Sequence, residues 1–287
     1  MQSLLDAAAA AQREGNSREL ARIASEIIAQ SEAAGDAQGL AQGHYYAGLA
    51  HFLQSSGGKA HAAYERALDI ATKARDKRGI LQAKIGLAAI AGEFDLDVEA
   101  LHRLSEEALV MARELRDEKA EAVLLGSLAE ACHLQGDYAR SIRYAKQSAA
   151  MFERLERWSS AGAQYATIAH VQALRRDYAQ ALESMRAAWS YLQREDVAFH
   201  RAWYFQVWFL IAAGMQRWEV AATLYGFLGH YRDVNEAPRL HGMLPTLSGP
   251  IERQYRELGH DRAIALAAQG ETYTVEQAQA LAETLAS

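Results

Sequence analysis

The chain has 287 residues, half of them hydrophobic, with 3 prolines and about a fifth alanine, a mix that excludes intrinsic disorder and favours helix, since alanine is the best helix former and proline the worst. Its 30 Lys and Arg against 36 Asp and Glu give a net charge of −6 with no dense basic patch, which argues against direct nucleic-acid binding. The single Cys132 excludes an internal disulfide, no apolar run is long enough for a membrane span and no secretion signal opens the chain, so a soluble cytoplasmic protein is expected.

From the N-terminus, short breaks recur at Gly15-Asn16-Ser17, Ser56-Gly57-Gly58, Asp95-Leu96-Asp97, Gly136-Asp137-Tyr138, Arg176-Asp177-Tyr178 and Gln216-Arg217-Trp218. Just after them stand Leu20, Ala60, Leu101, Ser141, Ala181 and Ala221, at intervals of 40, 41, 40, 40 and 40 residues. Seven residues further come Ile27, Ala67, Ala108, Ser148, Ala188 and Leu228. Twelve residues before the first series lie Ala8, Gly48, Ala89, Ala129, Ala169 and Phe209. Five of these six are Gly or Ala, as a position needs where one helix lies closely against another. Apolar residues recur at three and four on both sides of each break, as in Ala181, Leu182, Met185, Ala188 and Trp189. Each unit is therefore expected to be a helix of roughly 14 to 18 residues, a tight turn and a second helix. Asp137 and Asp177 suit the start of the second helices, and Gly136 the end of the helix before it.

Six such units fill residues 1–235. Pro238, Pro245 and Pro250 then fall close together, which predicts an irregular loop over 236–250, because proline disrupts helix interiors. Beyond it, Ile251–Leu258, Asp261–Gln269 and Thr274–Leu285 are expected to be helices, the last opened by a Thr274/Gln277 capping box. A solenoid exposes an apolar face at its end, so 251–287 is assigned as the cap.

Gly136-Asp137-Tyr138 with Ser141, and Arg176-Asp177-Tyr178 with Ala181 and Ala188, resemble the turn and second helix of tetratricopeptide repeats. The usual repeat is 34 residues, so the resemblance implies lengthened two-helix repeats, with the added residues in the helices or in the links between units. It implies an all-α, right-handed helical-hairpin solenoid with a C-terminal helical cap. The family's Trp near the start of a unit and its closing Pro are absent. The end of the chain, from Ala221-Ala222-Thr223-Leu224-Tyr225-Gly226 through Pro238 and Pro250 to Tyr273-Thr274-Val275-Glu276-Gln277-Ala278, resembles the closing segment of bacterial AfsR-like and LuxR-type signal-transduction ATPases. In those regulators a nucleotide-binding switch domain precedes a helical repeat domain. The resemblance implies that this chain is the sensor part of such a regulator, with the nucleotide-binding domain upstream, or a free-standing relative.

No phosphate-binding glycine loop, His-Glu-x-x-His pair or Gly-x-Ser-x-Gly elbow occurs, so neither catalytic residue, metal nor cofactor is expected. Cys132 falls at a helix-contact position and reads as a small apolar group. In tetratricopeptide-like repeats, set positions of each first helix face a concave groove. Carried onto this register, they are Gln42, Tyr45, Tyr46 and Phe52, then Glu93, Glu130 and His133, then Thr167 and His170, then Trp203 and Gln206. Of these, Tyr45, Tyr46, Phe52, Glu130, His133, His170, Trp203 and Gln206 are the candidate partner-binding residues. Rings supply area and polar tips supply orientation, which suits a protein or peptide partner or a small-molecule effector. The same aromatics could instead fill space between units. The strip Phe199 to Phe209 is apolar all round, and burial beneath the cap is its main expected role, with a partner surface as the alternative. The expected function is a non-catalytic sensor or interaction solenoid in a bacterial transcriptional or signalling regulator, with a stand-alone peptide receptor or assembly scaffold as the alternative.

Overall fold

The computed structural model describes residues 1–195, 197–235 and 244–286, and among them there are helices and turns but no strand. The chain divides into two compact units, Met1–Asp137 and Tyr138–Ser287. The first holds α1 (Gln2–Glu14), α2 (Ser17–Ala34), α3 (Ala37–Leu53), α4 (Gly57–Ala74), α5 (Lys77–Ile90), α6 (Val98–Glu114) and α7 (Glu118–Leu134). Each helix packs on the next in sequence, and α3, α5 and α7 also pack on one another in a row. The second unit holds α8 (Tyr138–Arg154), α9 (Trp158–Leu174), α10 (Tyr178–Leu192), α11 (Ala198–Gly214), α12 (Trp218–Asn235), α13 (Leu244–Leu258), α14 (His260–Glu271) and α15 (Val275–Glu283). Its row is α9, α11 and α13. No helix among the described residues is long and apolar enough to cross a membrane.

The turns explain the period. Gly15, Gly35, Ser55, Arg75, Leu96, Arg116, Gly136, Glu156, Arg176 and Gln216 all have positive φ, at spacings of 20 or 21 residues as far as Arg176 and 40 from there to Gln216, and each stops a helix in the left-handed conformation. The next residue donates its N–H back into the finished helix, as Asp36 does to Ser31, Asp76 to Ala71 and Asp117 to Ala112, at 2.8–2.9 Å. The side chains of Asn16, Asp36, Asp76, Asp97 and Asp117 then accept from the first N–H groups of the following helix. Two residues thus end one helix and start another, both within and between hairpins, so the lengthened repeat lies in the helices and not in the links. Asp177 occupies the same place, but its carboxylate makes no capping bond.

Seven of these left-handed residues are not glycine, and that conformation costs roughly 1–2 kcal/mol for a side-chain-bearing residue. Glycine at the exposed Arg116, Glu156 or Arg176 is expected to stabilise the chain by about 0.5–1 kcal/mol each, after the added freedom of the unfolded chain is counted. Alanine at Gly136, whose φ is 80°, is expected to cost about 1 kcal/mol. Urea denaturation of the four variants checks both signs.

The 41-residue interval has a local cause. After α5 the backbone makes one π-helical turn, Ala91–Asp95, and Asp97 donates to Ala91, six residues back, where the other turns reach back five. The extra residue also corrects one member of a series. Ala8, Gly48, Ala129, Ala169 and Phe209 are buried, but Ala89 is only half-buried and Ala88, at 0% exposure, takes the contact position. Leu20, Ala60, Leu101, Ser141, Ala181 and Ala221 are all fully buried.

The expected loop over 236–250 is corrected in part. Residues 244–250 belong to α13, and 236–243 lie outside the described residues. Pro245 falls in the first turn of α13, where a missing N–H deprives the helix of nothing, and Pro250 lies inside it at the cost of one backbone bond. The final helix opens with the Thr274/Gln277 capping box.

Candidate binding surface

In the first unit the aromatic residues expected in the groove do two jobs. Tyr45 and Tyr46 are neighbours on α3 with ring centres 5.4 Å apart, yet they enter different clusters. Tyr46 packs back onto the α1 and α2 cluster with Leu4, Leu5 and Ile23, while Tyr45 packs forward with Tyr64, Ile90 and Leu87. Tyr64 is the wedge: methyl groups added to Gly48 and Gly86 would stand 2.6 Å and 2.5 Å from its ring, so both glycines leave room for it. Phe52 meets Phe94 of the π-turn edge to face at 5.5 Å. Tyr45, Tyr46 and Phe52 keep partly exposed edges on the α3 end of the α3, α5 and α7 row. Burial pushes the Tyr45 hydroxyl up to about 12, so it serves as a neutral donor at any ordinary pH.

On α7, Glu130 is half-buried and His133 is 5% exposed. A methyl group on Gly92 of the π-turn would stand 3.2 Å from Oε1 of Glu130, so the glycine makes space for the carboxyl. Burial pushes Glu130 from 4.5 up to about 7 and holds His133 from 6.5 down to about 4. Folding thus keeps a proton on Glu130 that the unfolded chain gives up, so this residue's contribution is fully present below about 4.5 and lost as pH rises towards 7. His133 acts in the other direction, its contribution being lost as pH falls below 6.5 towards 4. Glu130→Gln is expected to raise the urea midpoint at pH 8 while changing it little at pH 5. Equal effects at both pH values would mean that the carboxyl is hydrated. Cys132, beside His133, is a fully buried thiol in no disulfide.

In the second unit the three expected residues are interior. His170 is 0% exposed and meets Trp203, itself 5% exposed, edge to face at 5.4 Å. Gln206 is fully buried, and its Oε1 accepts from Nη2 of Arg232 on α12. The cause is the cap: Leu247, Ala278, Ala282 and Leu285 join the cluster that encloses α11. Residues 202–213 of α11 are all buried, as the apolar strip implied, while the Phe199 side chain lies outside the described residues. These three side chains offer packing rather than an open contact surface.

Sequence reasoning passed over a serine and histidine pair. Ser159 Oγ and His200 Nδ1 are hydrogen-bonded at 2.5 Å, and the Ser159 N–H donates to Glu195 at 2.9 Å. Burial holds His200 down to about 4, which makes it a poor base, and Ser159 is 2% exposed, which bars a substrate. The pair ties the starts of α9 and α11 together. Among the described residues no three His, Cys, Asp or Glu side chains converge as around a metal ion.

No family model and no curated protein matches the chain. Among solved structures it is similar to a Rap protein complexed with competence and sporulation factor, with a TM-score of 0.70 and 16% identity over 97% of this chain and 74% of that one. It is also similar to BtubC (BKLC) from P. vanneervenii, at 0.54 and 15% identity over 82% and 93% of the two chains. A third likeness, at 0.50 and 13% identity, is to a signal transduction ATPase with numerous domains from Pyrococcus horikoshii that carries a tetratricopeptide repeat sensor. It covers 88% of this chain and 46% of that one. At such identities the likeness concerns the fold, and the fold is an all-α, tetratricopeptide-like solenoid of helical hairpins.

Proposed function

We propose that the chain is a non-catalytic sensor or interaction solenoid, the effector- or partner-binding part of a bacterial transcriptional or signalling regulator with a nucleotide-binding domain upstream. The observation that carries this reading is the row α3, α5 and α7, where rings of Tyr45, Tyr46 and Phe52 stay partly open and a half-buried acid, Glu130, stands on α7. Rings with exposed edges anchor a peptide or protein segment at low entropic cost, and a polar group fixes its orientation. The likeness to a Rap protein solved with a bound factor, and to a protein with a repeat sensor, supports the same reading. The alternative reading is a stand-alone peptide-binding receptor or assembly scaffold.

The test places a photo-crosslinking residue at 46, at 52 or at the exposed Arg186 in the full-length gene product, expressed in its own host. A single protein or peptide captured at 46 and 52 but not at 186, and lost in Glu130→Gln, is the expected result. Equal capture at 186, or none at 46 and 52, would overturn the proposal. A nucleotide-binding domain in the same gene product decides for the regulator over the free scaffold.

A further inference from the structure

We infer that the exposed side of α8, with the end of α10 beside it, is a docking surface for an acidic segment of a partner protein. The surface lies wholly within the second unit and does not rest on the reading of the first.

The repeat makes the charge of this surface stand out. α2, α4 and α6 balance the cations on their exposed sides with acids of their own, Arg22 with Glu19 and Glu26, Lys73 with Asp69, and Arg103 with Glu107. Forty residues beyond Arg103, Glu106 and Glu107 of α6 stand Arg143, Lys146 and Gln147 of α8, so the cation is kept and both acids are gone. Arg143, Lys146 and Arg154 fall at helical spacing on one exposed stripe, about 16 Å long. Forty residues beyond Arg154, the exposed Arg194 follows the end of α10. None of these four forms an ion pair among the described residues. Residues 138–194 hold 9 Lys and Arg against 4 Asp and Glu, in a chain whose net charge is −6.

An aromatic ladder joins the two helix ends. Trp158 stacks on Tyr191 with ring centres 6.1 Å apart and planes at 12°, and Tyr191 on Tyr165 at 5.5 Å and 14°. The hydroxyls of Tyr165 and Tyr191 both donate to Oε1 of Glu153, at 3.1 and 2.6 Å. The one acid of α8 therefore turns to the phenols instead of to its arginines, and the Tyr191 bond sets the end of α10 against that of α8. Glu195 is likewise engaged, by the Ser159 N–H. The Arg194 guanidinium lies 4.6 Å from the Trp158 ring centre and 6.0 Å from that of Tyr191. An arginine already held on a ring loses less freedom when its planar fork takes a carboxylate. Successive carboxylates suit the stripe and Arg194, and an apolar side chain between them suits the edges of the half-buried Trp158, Tyr165 and Tyr191. Trp, Tyr and Arg are also the residue types that dominate protein interfaces. Because the rings turn their faces to one another, the ladder is a poor platform for stacked nucleic-acid bases.

The probe is a fluorescein-labelled dodecapeptide of four Asp-Asp-Phe repeats, titrated with the full chain and followed by fluorescence anisotropy. Saturable binding that weakens as salt rises is expected. The matching Asn-Asn-Phe peptide should bind at least about tenfold more weakly, since it loses every charge-assisted bond. Arg154→Gln and Arg194→Gln together should weaken the acidic peptide by about tenfold or more. Lys77→Gln and Arg78→Gln together, at two exposed cations of the first unit, should leave it unchanged. Arg194→Lys should stay weaker than the parent, because it keeps the charge but loses the fork stacked on Trp158. All five positions are exposed, and circular dichroism checks that each variant folds. No saturable binding, an equal loss in the Lys77 and Arg78 pair, or parent affinity in Arg194→Lys would overturn the inference. So would tighter binding of a thymidine oligonucleotide of equal charge, which would make the surface one for phosphates. Should a variant fail to fold, the two peptides and the oligonucleotide on the parent chain decide.

Discussion

Alanine at Gly226 is expected to destabilise the second unit by about 3 kcal/mol, and alanine at Gly270 by a similar amount. A methyl group at Gly226 would run into the backbone carbonyl of Ala267, and one at Gly270 into that of Thr223. These obstacles are main-chain atoms in regular helices, so no side chain can rotate away, and α12 and α14 must separate. Separation uncovers the cluster that the cap closes, including Leu228 and Phe227 on α12. Because either methyl group alone forces the helices apart, the double variant should lose less than the sum of the two. Gly229 is the internal control: it lies inside α12 with nothing within 4 Å of an added methyl, so Gly229→Ala should stabilise by about 0.5–1 kcal/mol. Urea denaturation monitored by tryptophan fluorescence measures all four. A Gly226→Ala midpoint equal to that of the parent would show that the two helices do not cross there.

The sequence revealed the repeat because its marks are local. A left-handed residue followed by a capping residue must recur wherever a helix is stopped and restarted, and the buried small residues must recur at a fixed distance from it. The same locality explains the Ala89 error. Counting back from the third break assumes α-helical rise throughout, whereas the π-turn at Ala91–Asp95 absorbs one residue and moves the contact to Ala88. Residues 244–250 are helical although they hold two of the three prolines, because Pro245 sits in the first turn, where a helix tolerates one. For the binding surface, register identified the face a side chain takes on its own helix but not how deeply later elements cover it. Tyr46 and His170 were chosen by one rule, yet Tyr46 keeps an open edge and His170 has none.

That difference in depth separates packing from recognition by experiment. Trp203→Ala is expected to cost about 4 kcal/mol, because it removes a nearly buried indole from the core of the second unit and leaves a cavity against His170. Trp203→Phe should recover much of the loss by refilling part of the volume while keeping an aromatic edge for His170. Neither change alters an exposed contact surface, so partner binding should fall only to the extent that the folded population falls. Tyr46→Ala should do the opposite: its ring is partly exposed and shares its cluster with several other side chains, so about 1–2 kcal/mol of stability is at stake. The loss of partner affinity should exceed what unfolding explains. Denaturation curves and binding isotherms at one temperature, well below every midpoint, give both quantities for each variant. Affinity lost in Trp203→Ala with the folded fraction intact would return Trp203 to the recognition surface, and unchanged affinity in Tyr46→Ala would remove Tyr46 from it.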